Sequence, residues 1–149
     1  QPINSTLYKL GLNIPVIVVS INKTESKDLI AFDTNAGDLM PVSGTIIQIG
    51  HRQYLLFNNT KYNPKYTVKD WPFPIKLELT SKDDHLLNDI ATVKELIDQV
   101  YQFSRMYWKS VKQQNLPVTI KYPEMVAEIF PHFESEIIPP FGKNNLWFL

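Results

Sequence analysis

The sequence predicts an α/β fold, a β-sheet flanked by helices. Three observations carry that expectation. The run Ile14-Pro-Val-Ile-Val-Val-Ser-Ile-Asn22 is nearly continuous in β-branched residues, as in a strand covered on both faces. Two extended segments, Gly44-Thr-Ile-Ile-Gln-Ile49 and Gln53-Tyr-Leu-Leu-Phe57, flank the turn Gly50-His-Arg. From Ser81 to about Lys112, apolar residues recur every three or four positions, as on one face of a helix.

Taken in order, Gln1 to Leu10 has no clear period but ends in Lys9-Leu-Gly11, a pattern typical of a helix C-terminus. The chain is therefore expected to begin inside or just after a helix, a hint of a fragment. After the first strand, Lys23 to Asp28 is a polar turn, Leu29 to Phe32 a short strand and Asp33 to Gly37 a loop. The two extended segments that follow are expected to pair as a hairpin. Asn58 to Pro74 is a long loop carrying Tyr62, Tyr66 and Trp71, and loops of that length in a compact domain are usually functional or disordered. Ile75-Lys-Leu-Glu-Leu79 alternates cleanly and predicts a strand with one wet face.

The long helix can be capped by Ser81 or Asp83. Ile90, Val93, Ile97, Val100, Ser104 and Tyr107 form its buried stripe, while Lys94, Asp98, Gln102, Arg105, Lys109 and Lys112 line another face that turns basic toward the C-terminal end. Val118-Thr-Ile-Lys121 reads as short and extended, and Pro123 as the first turn of a further helix that Pro131 stops. The tail Ile137 to Leu149 is apolar to its last residue, which places the Leu149 carboxylate inside the protein, where it needs a cation or several donors.

Composition bounds the function. The 149 residues suit one domain, and 44 % hydrophobic content is enough to bury a core. Fifteen basic and fifteen acidic residues cancel, which argues against a non-specific polyanion binder but leaves room for a local basic groove. With no Cys, a disulfide framework and a Cys-based zinc site are excluded. His51, His85 and His132 lack the short spacings of a metal site. No apolar run reaches the roughly 18 residues of a membrane span, and no signal peptide is visible, so a cytoplasmic protein is expected. The sequons at Asn4, Asn22 and Asn58 read as accidental in so Asn-rich a chain. Phosphate-cradling and hydrolase motifs are absent.

Six segments, in order, resemble the C-terminal part of an Argonaute PIWI domain, prokaryotic members most closely. They are Pro15 to Lys23, the paired segments ending Phe57-Asn-Asn59, Trp71-Pro-Phe-Pro-Ile-Lys-Leu77, the helix ending Tyr107-Trp-Lys-Ser110, Leu116-Pro-Val-Thr-Ile-Lys-Tyr-Pro-Glu-Met-Val-Ala127, and Leu146-Trp-Phe-Leu149. The fifth is the most specific. The resemblance implies an RNase H-like partial domain over residues 1–149, a mixed β-sheet with flanking helices and no second domain.

It also implies partners: a guide RNA or DNA, a complementary target strand, the remainder of the Argonaute polypeptide and, in short inactive members, an effector protein. A part in prokaryotic defence follows by the same resemblance. Family members hold Mg²⁺ or Mn²⁺ on an Asp-Glu-Asp set plus a fourth residue. The first three would lie upstream of this chain, and the fourth falls at Glu124, where Glu departs from the usual Asp or His. Glu124 equally fits a first-turn helix acid favoured by the dipole. Guide-backbone contacts map onto Asn22, Lys23, Lys109, Lys112, Asn115 and Lys121, and the metal at the guide's 5′ phosphate onto the Leu149 carboxylate.

Overall fold

A computed structural model describes residues 2–26, 29–37, 39–58, 71–107, 115–129 and 131. Helix α1 (Pro2–Lys9) ends as its sequence predicts. Gly11 adopts φ 70°, and its N–H bonds the Tyr8 carbonyl at 3.0 Å while the Leu12 N–H bonds that of Leu7 at 2.9 Å. This pair of bonds is a Schellman cap, and its left-handed residue favours glycine.

Strands β1 (Ile17–Asn22), β2 (Ile46–Gly50), β3 (Gln53–Leu56) and β4 (Ile75–Ser81) form one sheet in the order β1-β4-β3-β2, each neighbouring pair antiparallel. The predicted hairpin is β2–β3, with a register shift between Gln48 and Gly50 and Arg52 in the turn at φ 59°. Strand β4 is central and shows the predicted alternation: Ile75, Leu77 and Leu79 are buried, and Glu78 between them is exposed. Strand β1 is shorter than the predicted Ile14–Asn22 and only half-buried, because among the described strands it pairs with β4 alone. The strand expected over residues 29–32 does not form. There the Ala31 carbonyl accepts from the Trp71 indole, and the Asp33 carboxylate turns the chain by accepting from the Asn35 N–H at 2.9 Å.

The single helix expected from Ser81 is instead two, α2 (Asp84–Asn88) and α3 (Ile90–Arg105). Asp89 separates them in an extended conformation, and its carboxylate accepts from the N–H groups of Ala91 and Thr92, capping α3. Val93, Ile97, Val100 and Ser104 are buried as predicted. Ile90, expected on the same stripe, is the first residue of α3 and is 83 % exposed. The core joins Leu56, Ile75, Leu77 and Leu79 of the strands to Leu87, Val93, Ile97 and Val100 of the helices. Each such side chain contributes about 1.5–3 kcal/mol on burial.

Helix α4 (Val118–Ile129) corrects two further expectations. Val118 to Lys121 is helical, not extended, since the Pro117 carbonyl accepts from the N–H groups of Ile120 and Lys121 at 2.9 and 2.8 Å. Pro123 is therefore interior, not at the helix start. Among the described residues no helix is long and apolar enough to cross a membrane.

Candidate nucleic-acid interface

Two of the predicted phosphate-binding lysines meet at one carboxylate. Lys23 follows the last residue of β1, where the Asn22 side chain makes the turn by accepting from the N–H groups of Thr24 and Glu25 at 2.8 and 3.1 Å. That Asx turn ends the strand. Lys121 sits one turn into α4, and Glu124 lies three residues on, where helical geometry puts the two side chains side by side. The Lys121 ammonium donates to Glu124 Oε2 at 2.8 Å, and the Lys23 ammonium lies 3.8 Å from Oε1.

The group is half-exposed: Lys23 is 51 %, Lys121 28 % and Glu124 35 % accessible at the side chain. The hydrogen bond to Glu124 raises the Lys121 pKa above its ordinary value, against a smaller opposing effect of burial. The ammonium is thus charged throughout the neutral range. Beside it, the rings of Tyr107 and Tyr122 meet edge-on at 6.1 Å between centroids.

Glu124 was also a candidate metal ligand. Its seventh position in α4 rules out the first-turn role, because the helix begins earlier than its sequence predicted. Both carboxylate oxygens already face ammonium groups. Among the described residues, no group of three or more His, Cys, Asp or Glu is placed to hold a metal ion. The other acidic ligands that the resemblance implies lie upstream of this chain, so Glu124 would be at most one ligand of a shared site.

Asn115 is not displayed toward a ligand. It is 6 % exposed and interlocks with Asn58, which is fully buried. Asn58 Nδ2 donates to the Asn115 carbonyl at 2.5 Å; the Asn115 N–H donates to Asn58 Oδ1 and its Nδ2 to the Asn58 carbonyl, both at 3.2 Å. Lys109, Lys112 and Leu149 lie outside the described residues, as do Tyr62 and Tyr66 of the aromatic loop. Trp71, the third aromatic of that loop, is half-buried: its indole N–H donates to the Ala31 carbonyl at 3.3 Å, and its ring tilts against Phe32. Sequence reasoning missed Asn58, which reads only as a sequon.

No family model matches the chain. It is 30 % identical over 118 residues to a Piwi protein of Archaeoglobus fulgidus, covering 73 % of this chain and 28 % of that protein. It is 29 % identical over 121 residues to a protein argonaute of Cereibacter sphaeroides, covering 76 % of this chain and 15 % of that protein. The chain thus spans less than a third of the length of either relative. A helix-flanked sheet compatible with an RNase H-like PIWI fragment, together with these two alignments over most of its length, shows that the chain belongs to the Piwi and Argonaute family as a PIWI-like segment.

Proposed function

We propose that the chain is the C-terminal portion of one PIWI domain and lines the groove that holds a guide strand's phosphates. The convergence of Lys23 and Lys121, from elements far apart in sequence, on one half-exposed spot carries this reading. Lys23 and Lys121 flank Glu124, with Glu128 also acting on Lys121, and their half-exposed ammonium groups suit a phosphate. No base is read by such contacts, so sequence would be read by pairing of guide RNA or DNA with its target strand. Lys109 and Lys112 would extend the groove, and the Leu149 carboxylate would help bind a divalent ion at the 5′ phosphate. The groove is completed by the remainder of the Argonaute polypeptide.

The test is binding of a 5′-phosphorylated oligonucleotide to the full-length protein across a salt series. The expected result is weaker binding with rising salt and on removal of the 5′ phosphate. Affinity indifferent to both overturns the proposal. In a second reading, that of guide-directed cleavage by the parent protein with Glu124 as fourth ligand, Mg²⁺ or Mn²⁺ would have to displace its two lysines. Of the aromatic loop, Trp71 is packed against Phe32.

A further inference from the structure

Helix α4 carries Lys121 and Glu124 yet has no fully buried residue of its own. Its half-buried side chains, Tyr122 against Tyr107 among them, are joined by a buried anchor at its start. The chain reaches it through Asn115, which is buried, Leu116, and Pro117, whose side chain is fully buried and whose carbonyl accepts the first two helical N–H bonds. Asn115 in turn is held by three hydrogen bonds to Asn58, 57 residues away in sequence. Asn58 follows Leu56 and Phe57, which are 0 % and 1 % exposed. The Phe57 N–H and carbonyl are bonded to Thr45 and Gly44 at 2.9 and 2.7 Å. A path of buried residues, interrupted only by the half-buried Leu116, therefore runs from the sheet through the asparagine pair to the first turn of α4.

We infer that Asn58 and Asn115 are positioning residues for guide binding: their interlock sets the origin of α4 and so holds Lys121 beside Lys23. The inference rests on the guide-groove reading above. It reassigns Asn115 from phosphate contact to clamp. An amide pair is suited to this, because each Asn offers both a donor and an acceptor, and a buried pair is directional where an apolar contact is not. Neither amide needs to touch the strand.

The experiment uses the full-length protein and a 5′-phosphorylated single-stranded oligonucleotide. Lys121→Gln is expected to lower the salt slope of log K by about 0.7, the value for one phosphate contact on a single strand. Asn58→Ala should lower it by a similar amount, and adding Lys121→Gln to Asn58→Ala should lower it no further. Adding Lys23→Gln should lower it again, since Lys23 stands on β1. Hydrogen exchange at the Ile120 and Lys121 amides should quicken in Asn58→Ala. Asn115→Ala, which deletes only the Nδ2 bond, gives a milder form of each effect if Asn58→Ala folds poorly. A slope unchanged in Asn58→Ala and Asn115→Ala, with faster exchange, overturns the positioning role and leaves a merely structural pair. A slope unchanged in Lys121→Gln overturns the guide-groove reading itself, and with it the role assigned to the clamp.

Discussion

Replacing Glu124 by Gln separates a metal ligand from a lysine partner, because the two roles predict opposite signs. Glu124 lies 2.8 Å from the Lys121 ammonium and 3.8 Å from that of Lys23. Coulomb's law in water gives about 1.5 and about 1.1 kcal/mol at those separations. Screening and side-chain ordering reduce exposed pairs to about 0–1 kcal/mol each. Removing the Glu124 charge therefore makes at most about 2 kcal/mol available to a phosphate, a gain in affinity of up to about 30-fold at low salt. The Gln side chain keeps the volume and one acceptor, so the helix is undisturbed. The assay is fluorescence anisotropy of a labelled, 5′-phosphorylated oligonucleotide on the full-length protein, with and without Mg²⁺. Tighter binding and a steeper salt dependence are expected, whether or not Mg²⁺ is present. Weaker binding that appears only with Mg²⁺ refutes the reasoning and returns Glu124 to a metal.

Ile97 is 1 % exposed at the centre of the α3–sheet contact, so Ile97→Ala is expected to cost about 2–5 kcal/mol in urea denaturation. Gly44 stands at φ 94°, and a Cβ there would lie 3.4 Å from Cζ of Tyr101, whose hydroxyl pairs with Ser43. Gly44→Ala should destabilise by about 1–3 kcal/mol in the same measurement, through backbone strain. The Asp89 carboxyl is held below its ordinary pKa, first by the Thr92 hydroxyl and then by the Ala91 and Thr92 N–H groups. A depressed carboxyl stabilises the fold above its unfolded value and loses that effect as pH falls through the folded one. The Tm difference between wild type and Asp89→Ala should therefore be full near neutrality and shrink below about pH 4.

The parts of this fold legible in the sequence are those in which period and burial agree. Ile75, Leu77 and Leu79 alternate because one face of β4 meets α3, and Val93, Ile97 and Val100 recur at helical spacing for the reciprocal reason. The break at Asp89 was hidden for a physical reason. An Asp inside a good helical period is tolerated, and only the backbone reveals that its carboxylate caps a new helix. Ser81 and Asp83 offered earlier caps, yet Asp83 makes no side-chain cap bond at α2. Val118-Thr-Ile120 reads as extended because three β-branched residues favour strands, but Pro117 starts a helix there through a buried long-range contact that no local pattern encodes. The candidate site inherited that error. With Lys121 extended and Glu124 in a first turn, the two are not neighbours; in one continuous helix they are separated by three residues and pair at 2.8 Å.

The zero net charge of the chain bears on the same spot. Lys76 meets Glu25 at 2.9 Å, with Glu78 also acting on it, and Arg52 meets Asp84 at 2.9 Å. At Glu124 two ammonium groups converge on one carboxylate. A field that decays within about 8–10 Å at physiological salt depends on such local sums, not on the chain's total. On the proposed groove reading, an oligonucleotide meets Lys23 and Lys121 together at this spot. On the groove reading, Lys23→Gln with Lys121→Gln should lower the salt slope by about 1.4, the value for two phosphate contacts on a single strand. Lys76→Gln, at the other side of the Glu25 turn, should leave it unchanged. Equal losses from the two changes would mean that the phosphates follow a diffuse surface charge rather than a built site.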